Sequence, residues 1–322
     1  MRIVFCGTPA IAVPTLRRLL DTPEYQVAGV ISQPDRPRGR NQENAESAVK
    51  AAARAAGLEV FQPEKIRSPE AQAWLEARAP EAAVLIAYGQ ILPARLLTIP
   101  RLGWINLHAS LLPCYRGAAP IAWAIARGET HTGITTMQID VGMDTGPILL
   151  QREMDIGGDE TAPELAARMG EAGAPLILET LEGLQRGTLH PRAQPNSGAS
   201  YAPILKREDG RIRWDMTAAE IYNHIRGFTP WPGKFAEFRG KRVHLWGRPA
   251  ERPGVTAVGD TAACADPGAI PGSVFAGNNR CCVACGAETW LEVLEAQPEG
   301  RRRMTAREFL IGARIAAGER FQ

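Results

Sequence analysis

An α/β fold in two parts is predicted: a Rossmann-like, mostly parallel N-terminal sheet followed by a smaller C-terminal OB-like β-barrel. Three features of the sequence predict it. The chain has 322 residues, more than the ~250 to 300 at which a single hydrophobic core stops growing, so two domains are expected. Through residue 138, apolar runs of strand length alternate with amphipathic runs of helix length, as in βαβ units whose parallel sheet is covered on both faces. Beyond residue 205 the pattern changes to short strand-like pieces punctuated by Gly and Pro, as in a small barrel.

Taken in order, "RIVF" reads as the first strand and "IAVPTLRRLL" as the helix after it. "QVAGVIS" and "SAVKAAARAAG" repeat the unit, and "AAVLIAY", "GWINLHA" and "TGITTMQI" supply further strands, with "IAWAIARG" as a helix between the last two. "TAPELAARMGEAGAPLILETLEGLQRG" closes the first domain as one long Gly-interrupted helix. "TLHPRAQPNSGAS" has the Pro, Gly, Ser and Asn content of a linker. The expected division is residues 1–187, a linker at 188–205 and a second domain at 206–322, where "RIRW", "FAEF", "RVHLW", "CCVAC" and "TWLEVLEAQ" read as strands and "TAAEIYNHIRGF" and "TAREFLIGARIA" as helices.

Composition narrows the class. Hydrophobic residues make up 45% and charged residues 22% of the chain, ordinary for a globular protein and against disorder. Net charge is +2, unevenly spread: residues 206–322 hold 18 Lys and Arg against 14 Asp and Glu. That tilt permits a polyanionic partner at the C-terminal end, and ordinary surface charge gives the same count. Cysteines stand at 6, 114, 264, 281, 282 and 285; only Cys282 and Cys285 have metal-like spacing, and no second pair completes a zinc site. Reduced or buried thiols and no metal are expected. The N-terminal "MRIVFCGTPA" lacks the apolar core of a signal peptide, and no stretch approaches the ~20 apolar residues of a membrane span. A cytoplasmic monomer is the expectation.

The chemistry concentrates in "GWINLHA". Period-two alternation places Trp104, Asn106 and His108 on one face and Ile105 and Leu107 on the other, so an amide and an imidazole emerge together at the strand's C-terminal end. Ligands bind at that end in open α/β sheets. A lone Asn–His pair reads as a wet strand end; a third residue changes the balance. Asp144, in "QIDVGMDTGPI", lies in a Gly-flanked loop after another strand, where the loops of a parallel sheet converge. Together the three could polarise a carbonyl, hold an oxyanion and orient the imidazole for proton transfer. Asp140 competes for the acidic role, but it ends the strand and reads first as a turn residue. "FCGTPA" lacks the G-x-G-x-x-G fingerprint, and no Walker A sequence occurs. The loop "QPDRPRGRN" carries Arg36, Arg38 and Arg40, which fit a phosphate-gripping loop and a solvated turn equally; "RRR" at 301–303 reads first as a solvated turn.

With these residues assembled, the chain resembles the methionyl-tRNA formyltransferase family of the folate-dependent formyltransferases almost end to end. In the first half the resemblance lies in "FCGTP", "AYGQILP", "INLHASLLPCYRGAAPI" and "TGITTMQIDVGMDTGPIL". In the second it lies in "YAPILKREDGRIRWDMTAAEIYNHIRGFTPWPG" and "RRRMTAREFLIGAR". The resemblance implies transfer of the formyl group of 10-formyltetrahydrofolate, a co-substrate, to the amine of methionyl initiator tRNA. It implies Asn106, His108 and Asp144 as catalytic residues and Ser110, Leu111, Leu112 and Pro113 as the folate-binding signature. Tyr88, Gln90, Ile91, Leu92, Asp140 and Val141 would line the pterin pocket. Arg38 and Arg40 would contact tRNA, and the C-terminal barrel would help hold it. Two departures stand out: the loop continues "NQENAESAVK", with less basic charge than the family's loop and no Pro, and Cys114 replaces the basic residue usual before "YRGAAP". The same donor serves enzymes acting on amino-sugar nucleotides or glycinamide ribonucleotide, and a non-catalytic RNA- or folate-binding module is the reading from another class.

Overall fold

A computed structural model describes residues 1–38, 43–253, 269–277, 280–315 and 319–322. The chain forms two compact units. The first comprises Met1–Ile121, Thr130–Gly157 and Glu164–Ile204; the second comprises Leu205–Gln322 together with Ala122–Glu129 and Gly158–Pro163.

The early elements are β1 (Arg2–Gly7), α1 (Val13–Leu20), β2 (Gln26–Ile31), β3 (Arg36–Arg38), β4 (Glu43–Ala45), α2 (Ala48–Ala55), β5 (Val60–Phe61), α3 (Pro69–Arg78) and β6 (Ala82–Ile86). They are followed by α4 (Ala94–Leu97), β7 (Trp104–His108), α5 (Pro120–Ala126), β8 (His131–Gln138), β9 (Ile148–Asp155) and α6 (Ala162–Arg186). Ser47 and Ser68 cap α2 and α3 by accepting the N–H of Lys50 and Ala71. The main sheet runs β5-β2-β1-β6-β7-β8-β9, parallel from β5 to β7. Because the chain fills outward from β1 to β5 and then restarts at β6, the strand order reverses between β1 and β6. That is the switch point at which such sheets bind ligands.

β8 runs antiparallel to β7, with Ile105 opposite Gln138 and His108 opposite Thr135. The expectation that the loop after β8 converges with the parallel-strand loops is therefore corrected. That loop starts beside the beginning of β7 and must double back some three residues, about 10 Å at the strand rise, to reach His108.

β7 is buried along its whole length. Leu107 faces α6, where a side chain at Gly173 would lie 2.2 Å from Leu107 Cδ2; at Gly170 it would lie 2.8 Å from Ile11 O. Gly173 thus lets α6 press against β7, and Gly170 lets it press against the turn Ala10–Ala12. Asn106 and His108 take the other face.

The second unit holds α7 (Ala218–Gly227), β10 (Phe235–Phe238), β11 (Lys241–Ala250), β12 (Val274–Gly277), β13 (Arg280–Ala284), β14 (Trp290–Pro298), β15 (Met304–Thr305) and α8 (Ala306–Ala313). Its OB-like sheet is antiparallel, ordered β10-β11-β14-β13-β12, with β15 on β14. Val243 and Leu245 point into a core with Trp214, Ile221, Leu291 and Phe321. Arg242, His244, Trp246 and Arg248 alternate with them and are at least partly exposed. Thr217 with Glu220, and Thr305 with Glu308, form capping boxes that start the two helices. "RIRW" forms no strand of its own and contributes one bridge, Arg211 to Phe235.

Candidate active site

β7 delivers Asn106 and His108 to the site, 7% and 6% exposed. His108 Nε2 lies 2.9 Å from the carbonyl oxygen of Tyr115. A carbonyl can only accept, so Nε2 carries the hydrogen and the lone pair of the neutral ring is on Nδ1. Nδ1 faces Asp144 Oδ2 at 3.7 Å. The same carboxylate oxygen accepts the N–H of Gly117 at 2.8 Å. Asp144 has φ +52 and Tyr115 φ +58; Asp tolerates this left-handed region, whereas a Tyr there is strained by about 1 to 3 kcal/mol.

The stretch 188–204, linker-like in composition, is fastened along the first unit. Arg192 and Ile148 exchange backbone hydrogen bonds. Ser200 accepts the Tyr115 N–H on its side chain and the Arg116 N–H on its carbonyl. Gln194 Oε1 accepts two hydrogen bonds from the buried Arg116 guanidinium, at 3.0 and 2.7 Å. Gln194 Nε2 donates to the carbonyls of Asp144 and Gly146, at 2.8 and 2.7 Å. Sequence reasoning missed Gln194 and Ser200, since nothing in a Pro- and Gly-rich stretch marks one polar side chain above another.

The segment Ser110 to Pro113 is held from β8 and β9. Thr135 Oγ1 donates to Ser110 O at 2.6 Å and accepts the Leu112 N–H at 3.1 Å, while Gln151 donates to Leu112 O. Leu112 is buried with Met137 and Ile148. The segment after β6 divides: Tyr88 and Leu92 are in the core, whereas Ile91 is 76% exposed. Burial raises the Tyr88 phenol above its ordinary value. On the other side of β7, Val141 and Met143 are exposed in the loop after β8. Asp140 closes its turn, its carboxylate accepting from Gly142 N–H and Thr145 Oγ1.

At the switch point lies a cleft of about 500 Å3, lined by Thr8, Gln33, Arg36, Glu64, Tyr88 and Gln90 among others. Amides build its wall: Gln90 accepts the Ile66 N–H and donates to Gln33, which donates to Tyr88 O. Lys50 and Gln62 hydrogen-bond the Asp35 carboxylate beside it and hold its pKa below the usual carboxylate value. Arg38 lies on β3, paired with Glu43 on β4; Arg40 lies outside the described residues, as does Cys264.

In the second unit, Arg303 pairs with Glu295 and stacks over Trp246 at 3.9 Å, and Arg302 pairs with Glu308. Cys281, Cys282 and Cys285 are buried, and burial pushes the thiols of Cys281 and Cys285 up to about 12, so these two are protonated. Among the described residues no helix is long and apolar enough to cross a membrane.

Two family models match the chain: formyl transferase over residues 1–181, and the formyl transferase C-terminal domain over residues 204–314. A methionyl-tRNA formyltransferase of Acidobacterium capsulatum is 51% identical over 318 residues, 98% of each chain. One of Solibacter usitatus is 48% identical over 320 residues, 99% of this chain and 98% of the relative. A solved N-formyltransferase from Helicobacter canadensis, in complex with folinic acid and dTDP-3-aminofucose, shares the fold at TM-score 0.62 and 17% identity over 90% of this chain and 98% of its own. Both parts of the chain match, in order and over nearly their full length, and the chain belongs to the formyl transferase family.

Proposed function

We propose that the protein transfers the formyl group of 10-formyltetrahydrofolate to the α-amine of methionyl initiator tRNA. The observation that carries this reading is the His108–Asp144 pair beside Asn106 at the end of β7, in a chain whose relatives at 48 to 51% identity are named methionyl-tRNA formyltransferases. Folinic acid in the Helicobacter canadensis structure supports a folate donor.

The neutral amine attacks the formyl carbon, and charge builds on the formyl oxygen as the C–N bond forms. Asn106 donates to that oxygen, an interaction whose loss typically costs about 2.7 to 4 kcal/mol. His108 Nδ1 receives the amine proton, directly or through a water, and the Asp144 carboxylate stabilises the charged ring. The proton then passes to the folate nitrogen as its bond to the formyl carbon breaks. No electrons change hands, and the products are the formylated amine and tetrahydrofolate.

Ser110 to Pro113, with Tyr88, Gln90, Ile91, Leu92, Asp140 and Val141, form the folate site in this reading. Exposed Ile91 and Val141, on loops either side of β7, support it, because apolar side chains left on a surface fit a flat ring. Residues 1–187 act as the formyltransferase domain and 206–322 as the tRNA-binding domain. Arg38 and Arg40 contact tRNA phosphates, and the Arg242, His244, Trp246 and Arg248 face of β11 offers cations and a stacking ring to the same partner.

The test is purified protein with 10-formyltetrahydrofolate and, in parallel, methionyl initiator tRNA, glycinamide ribonucleotide or an amino-sugar nucleotide. Transfer to the tRNA alone is expected; transfer only to a small amine, or binding without turnover, overturns the reading. Arg40→Ala is expected to raise the KM for tRNA and leave that for folate unchanged.

A further inference from the structure

We propose that Gln194 is a positioning residue of the formyl-transfer site, holding the Asp144 loop folded back onto His108; the inference rests on the catalytic reading of Asp144. The need for such a residue follows from topology. β8 is antiparallel to β7, so the loop from Ile139 to Pro147 leaves the sheet beside Trp104, where the Ile139 N–H is bonded to the Trp104 carbonyl. Nothing in the strand pairing brings its tip to His108.

The tip is captured from the segment 192–202. Gln194 uses both amide hydrogens on this loop, one on the carbonyl of Asp144 and one on that of Gly146. Its oxygen is fixed by the two hydrogen bonds from Arg116. The amide cannot flip without turning its NH2 toward the guanidinium and its oxygen toward two carbonyls. Arg116, 4% exposed, belongs to the same turn as Tyr115, whose carbonyl receives His108 Nε2–H, and Gly117, whose N–H binds the Asp144 carboxylate. One side chain therefore joins the turn that orients the imidazole to the loop that carries its acidic partner. On either side of it the strap is pinned by Arg192 to Ile148 and by Ser200 to Tyr115 and Arg116.

A residue acting only through position affects turnover and spares binding. Gln194→Ala is expected to lower kcat by about 10- to 100-fold, the scale for displacing a catalytic group by an ångström or so, with the KM for tRNA changed less than about threefold. Gln194→Glu retains the partner of Arg116 and sets an oxygen against both carbonyls in place of the two donors, so it should show the same fall in kcat with the strap still tied to Arg116; it carries the test if the alanine variant is unstable. In an Asp144→Asn background either substitution should cost nothing further, because the group it positions is already disabled. Full kcat in Gln194→Glu, a loss confined to KM, or an equal extra loss in the Asp144→Asn background overturns the proposal. Full activity of Asp144→Asn alone would instead sink the reading of the site on which it rests.

Discussion

Asp144 Oδ2 stands 3.7 Å from His108 Nδ1 while it accepts the Gly117 N–H at 2.8 Å. The carboxylate is thus anchored by backbone and faces the one imidazole nitrogen that is free to take a proton, since the other is committed to Tyr115 O. Asp144→Asn keeps an oxygen for Gly117 and removes the charge. Turnover is expected to fall about 10²- to 10⁴-fold, the range for general acid–base groups, with an unchanged melting temperature. Steady-state kinetics and thermal unfolding on the same preparation check both halves.

Asn106 shares its strand face with His108, and in the proposed reaction its amide donates to the formyl oxygen. Asn106→Ala is expected to lower kcat about 10²- to 10³-fold, as for other lost oxyanion donors, while equilibrium binding of folate stays within a few-fold. Weakened folate binding without a change in kcat would move Asn106 from the chemistry to the binding site.

Thr135 ties Ser110 and Leu112 to β8. Thr135→Val keeps the shape and strands a buried carbonyl and N–H, at a cost of about 1 to 3 kcal/mol. A raised KM for folate and a lower melting temperature are expected together; an unaltered KM would show that the turn is held by other contacts.

Gly117 has φ +115, and a β-carbon there would lie 2.7 Å from the carbonyl oxygen of Ala202. Gly117→Ala therefore strains the backbone and pushes against the strap, with an expected loss of about 2 kcal/mol and a fall in turnover as Gly117 N–H leaves Asp144. Denaturant unfolding measures the first and kinetics the second.

His224, on α7 and packed on Phe228 at 5.0 Å, has its pKa lowered to about 4, first by burial and then by the charge of Lys234. The unfolded ring titrates near 6.5, so between about pH 6.5 and 4 the unfolded state binds the extra proton and the folded state does not. Stability then falls as the pH falls through that window, by up to about 3 kcal/mol and less to the extent that water reaches the ring. His224→Gln should flatten this slope; urea unfolding from pH 7 to 4 in both proteins compares them, and parallel curves would assign the acid sensitivity elsewhere.

Much of this arrangement is written locally. Alternation over five residues puts Asn106 and His108 on one side of β7, and the capping boxes of α7 and α8 are explained within a turn of their own sequence. Such features are set by backbone periodicity and short-range hydrogen bonds, which depend on neighbours in the chain. The direction of β8, the return of the Asp144 loop and the use of Gln194 are of another kind. They join Asp144 to a residue 27 positions earlier and to one 50 positions later, through polar atoms whose partners become close only when the sheet and strap have assembled. The sequence determined that Asn106 and His108 stand on one face of a buried strand. The tertiary structure decided whether the acid reaches the imidazole, because a loop starting at the far end of an antiparallel strand goes where long-range hydrogen bonds hold it.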